Sequence, residues 1–336
     1  MGAHVDNVPC QATITTVIPA YNAELYLAET LSSLARQTRK PDRVIVVDDG
    51  STDRTEEIVR NFEAIRCEWA PNPRNLGLFP NHNSAIRFAA ETKYLHILHA
   101  NDLISPTFFE KLVPLIEHAQ GYAIAYGGHV FIREDGSVTN QKGGIEGSTP
   151  RKISLGQFLV SQSELKAIQL HSAILKTDYQ ALPVTFRTDL PQLGDVIFHA
   201  QFATHCSEIW AHPEILCQVR IHLDSASNKN LKNIHAWVHD EWKAMQLVYG
   251  MMREHGVSSA SHESKLKLLF AARSRVKMKM VKEVFPEYAD EIASVAKLYS
   301  GAFAWFSAAG IVAIRDRFFP KADAARERLA RTENQK

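Results

Sequence analysis

Three short polar clusters carry side chains that could grip a flat ring, a hydroxyl and an anion with its counter-ion. "YLHILHANDLISP", residues 94–106, is an apolar run that ends in His99, Asn101 and Asp102 and closes at Pro106. An imidazole, an amide and a carboxylate can hold a divalent ion or face a phosphate, and they can equally be the polar end of a strand. "VIPAYNAE" places Tyr21 to stack on a ring and Asn22 to bond its edge. In "VVDDGSTD", Asp49 could accept from a ring N–H or a ribose hydroxyl. Each also has a plainer reading: the first is a turn, and the second is a helix start capped by Ser51 or Asp53. Their occurrence in two consecutive strand-to-helix connections gives them weight together.

The elements around these clusters are those of a layered α/β fold. "ATITTVIPA" and "DRVIVVDD" are β-branched runs without alternation, as a sheet covered on both faces requires. Between them Leu27, Leu31 and Leu34 recur at helical spacing, and Ile58, Val59, Phe62 and Ile65 do so after the second run. "IRCEWAP" predicts a third strand, "NHNSAIRFAAET" a helix and "YLHILHA" a fourth strand. Strand, helix, strand, helix implies a parallel sheet with right-handed crossovers, whose ligands bind outside the carboxyl ends of the strands. "PAYN", "DDGSTD" and "HAND" all follow strands and should converge on one crevice. Further on, "AIAYGGHVFI" predicts a strand that closes at "EDGS". Residues 136–151, rich in Gly, Ser, Thr and Lys, read as a mobile surface loop.

Composition narrows the choices. With 38 basic and 37 acidic residues among 336, the net charge is +1, so nothing advertises nucleic acid as a partner and any anion must be gripped locally. Cys10, Cys67, Cys206 and Cys217 lack the paired spacing of a zinc ribbon, a redox CxxC or a disulfide framework, which fits a reducing cytoplasm. The first residues show no basic segment followed by an apolar one, so no secretory signal is expected. A Rossmann dehydrogenase is disfavoured because no GxGxxG follows the first strand, and a nucleotidyltransferase because no Gly-rich basic loop does.

"TTVIPAYNAELYLAETLSSLARQT" followed by "PDRVIVVDDGSTDRTEEIV" resembles the nucleotide-binding half of family 2 glycosyltransferases, and the similarity runs from residue 13 to about 225. The resemblance implies the α/β GT-A fold: a Rossmann-like mixed, mostly parallel sheet flanked by helices, here with an α-helical C-terminal extension. It implies a UDP-sugar donor, transfer with inversion, a glycan or lipid-linked acceptor and a divalent cation, Mn2+ or Mg2+. By position, Pro19, Ala20, Tyr21 and Asn22 would line the nucleoside, Asp49 would hold the uracil edge, and Glu24 would help the ribose or position its loop. "NPRNLGLFPNHNSAI" fits the family's Asn-x-Gly turn at Asn75 and Gly77 and its helix-start Asn at Asn83, but His82 replaces the usual Arg.

Aligned on Pro106, the family's Leu-Asp-x-Asp-Asp becomes Leu98-His99-Ala100-Asn101-Asp102, with two of its acids replaced. Asp102, Asn101 and His99, with His222, would then form the metal corner, His99 suiting Mn2+ better than Mg2+. Lost carboxylate charge leaves three readings open: a weakened metal site, one where metal matters little, or a structural strand end. "QLGDVIFHAQFATHC" matches the segment that supplies the family's base, making Asp195 the expected general base against the plainer reading of a helix cap. "VRIHLDSAS" resembles the family's Arg-x-His, with Arg220 facing the diphosphate alongside Asn101, and His222 the metal or phosphate. His171 and Ser172 lie where the acceptor approaches, although His171 also reads as a core histidine. The activity implied is an inverting transfer in cell-surface polysaccharide or lipopolysaccharide synthesis. The alternatives are a retaining enzyme of the same fold and a sugar-nucleotide-binding protein with weak or no transfer.

Three regions follow from these readings: a tail at 1–12, a catalytic domain at 13–230 divided near 106 into nucleotide and acceptor halves, and a helical region at 231–336. Within the last, "LYSGAFAWFSAAGIVAI" is uncharged and flanked by Lys297, Arg315, Arg317 and Lys321. It is short for a membrane span. Residues 298–321 are expected to form a buried helix or a homo-oligomer contact, with peripheral binding in the plane of the inner membrane face as the alternative.

Overall fold

A computed structural model describes residues 12–166, 168–222, 235–282 and 286–318. The chain divides into two compact units. The first takes residues up to Ile153 together with Ile168–Thr185 and Phe202–Arg220. The second takes Ser154–Ala167, Phe186–Gln201 and the chain from Ile221 onward.

The first unit has the α/β architecture that the apolar runs require. It opens with β1 (Ala12–Ala20), α1 (Leu27–Ala35), β2 (Arg43–Asp48), α2 (Thr55–Asn61), β3 (Cys67–Pro71), α3 (Leu78–Ile86) and β4 (Thr92–Ile97). It continues through β5 (Leu103–Ile104), α4 (Phe108–Ile116), β6 (Ala123–Ile132), β7 (Val138–Gly143) and β8 (Arg151–Lys152). After α5 (Leu155–Ser163) come β9 (Ala173–Lys176), α6 (Gly194–His205) and β10 (Glu208–Arg220). One ten-stranded sheet runs β3-β2-β1-β4-β9-β6-β10-β5, with β7 on β6 and β8 on β10. β3, β2, β1 and β4 are parallel, and β9 enters antiparallel between β4 and β6. β1 lies inside this block, where Val17 pairs with Ile45 on one side and Ile97 on the other. Helices on the sheet explain the absence of alternation: Leu27, Leu31 and Leu34 of α1 and Phe108, Phe109 and Leu112 of α4 are fully buried in one cluster with Ile14, Ile18, Val44 and Val46.

Part of the loop expected at residues 136–151 is instead a hairpin arm, Val138–Gly143, while 144–150 are irregular. β7 pairs antiparallel with β6, Val138 opposite Ile132 and Gly143 opposite His129. The turn is closed by the Ser137 carbonyl accepting from the Arg133 N–H at 2.9 Å, with Gly136 at φ +81°. A polar strand sequence, "VTNQKG", hid it. A Cβ at Gly143 would stand 2.3 Å from the His129 ring, so a larger residue there would displace that ring.

The second unit is helical and draws on two segments besides the C-terminal region. Leu159 of α5 and Val196, Ile197 and Ala200 at the start of α6 are buried with Ala244, Val248 and Met252 of helix Asp240–Glu254. Beyond lie helices Ala260–Val281, Pro286–Ser300 and Ala302–Phe318. Glu241, 5% exposed, accepts from Arg273 Nε at 2.7 Å and Lys277 Nζ at 2.5 Å, a buried triad joining two of these helices. The uncharged run from Leu298 is broken at Gly301. Ala304, Trp305, Ala308 and Val312 enter the core, whereas Leu298, Phe303 and Phe306 are exposed. Among the described residues no helix is long and apolar enough to cross a membrane. Residues 319–321 lie outside the described residues.

The same unit carries an acid-sensitive position. His199 is fully buried and neither ring nitrogen has a hydrogen-bond partner. Burial pulls its pKa from 6.5 to about 3. The unfolded chain therefore binds a proton that the folded chain refuses between those values, so stability is complete above pH 6.5 and is lost as pH falls toward 3. His199→Leu should lose about 2 kcal/mol less stability than the parent between pH 7 and pH 5. Urea midpoints at the two pH values measure this, and identical pH slopes in both proteins would contradict a buried neutral imidazole.

Candidate functional site

The site starts where β1 and β2 end side by side. The chain leaves β1 through Pro19 and Ala20, both buried, and turns at Asn22 with φ +47°, a left-handed conformation that asparagine tolerates. The loop after β2 then laces itself to this turn. Ser51 Oγ accepts from the Asn22 N–H at 2.8 Å, Asp53 Oδ2 from the Glu24 N–H at 2.9 Å, and Thr55 Oγ1 from the Ala23 N–H at 2.8 Å. In return Asn22 Oδ1 accepts from the Thr52 N–H at 2.9 Å and Glu24 from the Arg54 N–H at 3.2 Å. This reciprocal lacing leaves one large side chain outside: Tyr21 is 51% exposed, an aromatic face held by a rigid backbone.

Asp49, expected to hold a base edge, is bonded within the protein in this structure. It is 2% exposed, and its carboxylate accepts from the N–H groups of Leu76 at 2.9 Å and Gly77 at 2.8 Å and from Asn72 Nδ2 at 2.9 Å. These bonds make the carboxylate a clamp on the 72–77 turn. Asn81, which the sequence did not single out, completes that clamp: its amide accepts from Asn72 and donates to the carbonyls of Ala20 and Val47. Asn83, half-buried, follows on the same helix. His82 is buried with Nδ1 2.7 Å from the Leu78 carbonyl, and burial pulls its pKa to about 3, so it supplies no positive charge in place of the usual arginine.

Beyond β4 the chain turns so that β5 can pair antiparallel with β10. That turn buries Asp102 to 2% exposure. Its Oδ1 accepts from the Arg220 N–H at 2.7 Å, and its Oδ2 lies 3.1 Å from His99 Nδ1 and 3.2 Å from His171 Nδ1. His171 sits in a 3-10 turn, Leu170–Ser172, immediately before β9. Its main-chain oxygen is held by His96 Nε2 at 3.0 Å and by Cys217 Sγ at 3.4 Å. These side chains, His99, Asp102 and His171, bring one ligand atom each within 4.8 Å of one another and could hold a metal ion. His171 and Ser172 are both fully buried, Ser172 donating to the Gln169 carbonyl at 2.7 Å. Expected on the acceptor side, both are closed off from solvent in this structure, and His171 lies beside Asp102.

Arg220, expected to face the diphosphate, is packed into the same corner. Its side chain is 1% exposed. Nε donates to the Asn101 carbonyl at 3.1 Å, Nη1 to the Glu134 carbonyl at 2.9 Å and Nη2 to Glu29, and the guanidinium lies over the Tyr26 ring. In this structure the guanidinium is thus engaged within the protein on three sides. Asn101 enters this arrangement through its backbone oxygen. Burial alone would raise the Asp102 pKa, but His171, His99 and the Arg220 N–H outweigh it and hold the carboxyl below the usual range. Burial, opposed by Asp102, pulls His171 down to about 4. At neutral pH the corner is thus one anion facing a neutral His171 imidazole.

The remaining sequence candidates belong to the second unit. Asp195 stands in the first turn of α6, half-buried, with Oδ1 accepting from the Val196 N–H at 2.9 Å, while Val196, Ile197 and Phe198 enter the core. His222 is half-buried just after β10, and the Ser-rich stretch that follows, 223–228, lies outside the described residues.

The description "Glycosyl transferase family 2" matches residues 15–179. An uncharacterized glycosyltransferase of Haemophilus influenzae is 26% identical over 225 residues, which is 64% of this chain and 67% of that protein. Glycosyltransferase GlyA of Streptococcus pneumoniae is 29% identical over 189 residues, 54% of this chain and 26% of that protein. Against the uncharacterized glycosyltransferase MJ1057 of Methanocaldococcus jannaschii, 30% identical, the match spans 38% of this chain and 45% of its relative. Among solved structures, S. aureus TarS in complex with UDP-GlcNAc superposes with a TM-score of 0.53 at 17% identity, covering 91% of both chains. That likeness is one of fold.

Proposed function

Because residues 15–179 belong to glycosyl transferase family 2 and their strands carry the loops of a GT-A layer, we propose that this glycosyltransferase moves a sugar from a UDP-sugar to a hydroxyl of a glycan or lipid-linked acceptor, with inversion. The observation that carries the donor reading is the exposed Tyr21 on the laced β1 and β2 loops, at the same carboxyl edge of the sheet as Asp102 after β4. Tyr21 offers a stacking face, and hydrogen bonds from the loop after β2 hold the backbone around Asn22. The TarS complex, a structure with UDP-GlcNAc, supports a uridine donor by analogy of fold.

The chemistry then follows from charge. Asp195 takes the proton of the acceptor hydroxyl as its oxygen attacks the anomeric carbon, the bond from that carbon to the β-phosphate oxygen breaks, and the nucleoside diphosphate departs on the opposite face. Negative charge grows on the diphosphate at that moment. His99, Asp102 and His171 would hold a divalent cation, whose charge would offset the diphosphate's; two nitrogens and one oxygen suit Mn2+ better than Mg2+. The biological setting proposed is cell-surface polysaccharide or lipopolysaccharide synthesis at the cytoplasmic side.

A second reading, a sugar-nucleotide-binding protein without transfer, is favoured by one observation: His99 and Asn101 stand where the family has acids. Incubation with UDP-sugars and a panel of glycan and lipid-linked acceptors, with and without EDTA, followed by anomer-resolved NMR, separates the two. An inverted product supports transfer; saturable UDP binding with no product from any donor would favour the binding protein. On either reading Tyr21→Ala should weaken UDP binding about tenfold, the loss of one stacked base, roughly 1.4 kcal/mol. Its melting temperature should not move, because the ring is half exposed. Calorimetric titration of UDP checks this, and unchanged affinity would remove Tyr21 from the nucleoside site.

A further inference from the structure

The corner around Asp102 is built as a ligand set before any nucleotide arrives. Ions held by bonds of about 2.1 Å require neighbouring ligand atoms roughly 3.0–3.4 Å apart, from octahedral to tetrahedral edges. Asp102 Oδ2 stands 3.1 Å from His99 Nδ1 and 3.2 Å from His171 Nδ1. His171 is fully buried, yet neither of its ring nitrogens completes a hydrogen bond, although Nδ1 stands 3.2 Å from Asp102 Oδ2. Orphaning a buried polar group in this way costs about 1–3 kcal/mol, and an ion between the three atoms would remove the cost for the nitrogen that faces Asp102.

The surroundings orient the set. The Arg220 N–H takes Asp102 Oδ1 at 2.7 Å, which leaves Oδ2 toward the imidazoles, and His96 and Cys217 fix the backbone of His171. His99, with its side chain 34% exposed, is the member of the set that reaches solvent. Arg220, spent on Asn101, Glu134 and Glu29, cannot take the ion's place.

We propose that His99, Asp102 and His171 form a resident transition-metal site of two imidazole nitrogens and one carboxylate oxygen, which binds its ion without nucleotide and takes Zn2+ or Co2+ more tightly than Mn2+ while rejecting Mg2+. The proposal deepens the glycosyltransferase reading and depends on it only for what the ion does. Nitrogen donors favour the later first-row metals, whereas Mg2+ requires oxygens and keeps its waters. A corner whose carboxylates alone held the ion would rank these metals less steeply and would lean on the diphosphate for its remaining oxygens.

The test uses the full chain, stripped with EDTA and titrated with CoCl2, ZnCl2, MnCl2 and MgCl2 without nucleotide. Calorimetry should give one equivalent of Co2+ and of Zn2+, weaker Mn2+ and no Mg2+ heat, with visible d–d absorption from bound Co2+. His99→Ala, at the most exposed of the three positions, and Asp102→Asn, nearly isosteric, should each weaken Co2+ at least about 100-fold. Equal affinity for Mg2+ and Zn2+, binding only after UDP is added, or Co2+ affinity unmoved by His99→Ala in a folded protein would overturn the site. UDP-sugar cleavage followed by phosphorus NMR on the same samples keeps the two ideas apart. Cleavage without metal retention overturns this inference and leaves the transferase reading, while retention without cleavage does the reverse.

Discussion

Asp195→Asn is expected to lower the transfer rate about 10³-fold while leaving UDP affinity within a factor of two, since a positioned base contributes roughly 10²–10⁴. The amide keeps the size of the side chain and its carbonyl can still accept from the Val196 N–H, so the first turn of α6 keeps that bond. What the substitution removes is the capacity to take a proton. Val196, Ile197 and Phe198 continue into the core unaltered, and the melting temperature should hold. Initial rates at saturating donor together with UDP titrations give both numbers. An equal loss of UDP affinity, or full activity, would take the base away from Asp195 and leave it a helix-start residue.

The second large effect is on stability. Arg220→Ala should cost about 2–3 kcal/mol in urea unfolding, because it leaves a void where a side chain 1% exposed stood and strips the donor from the partly buried carbonyls of Asn101 and Glu134, the half-exposed Glu29 adding little. Arg220→Lys should recover less than half of this. A single ammonium cannot reach acceptors on three sides, nor lie flat over Tyr26 as the guanidinium does. The expectation also separates two roles. A diphosphate-binding arginine would weaken UDP on substitution with little change in stability, whereas a clamp weakens the fold first. A loss under about 0.5 kcal/mol with a tenfold fall in UDP affinity would restore the diphosphate role.

Much of the first unit was legible because its signals are short in range. β-branched runs, the spacing of Leu27, Leu31 and Leu34 and the polar loops between them encode strand, helix and connection within a few residues. The same locality explains the misses. β7 is polar along its length and only its pairing with β6 makes it a strand. Asp49 carries the same carboxylate whether it faces a base or the N–H groups of Leu76 and Gly77, and only the folded turn chooses. α5 and the start of α6 look like any amphipathic pieces, yet Leu159 and Val196 find their core with Val248 and Met252.

By itself the sequence determined the layered α/β order, the positions of the strand-end loops and the family resemblance that those loops carry. Tertiary structure decided which polar groups meet. Asp102 takes the backbone of Arg220, 118 residues away, because β5 must pair with β10. It meets His171 because β9 enters the sheet beside β4. Buried polar atoms accept whatever partner the crossing of distant strands supplies, and no local pattern records that choice. The chain spelled out His99, Asn101 and Asp102 as a corner with two acids missing; the fold supplied an imidazole from elsewhere to fill it.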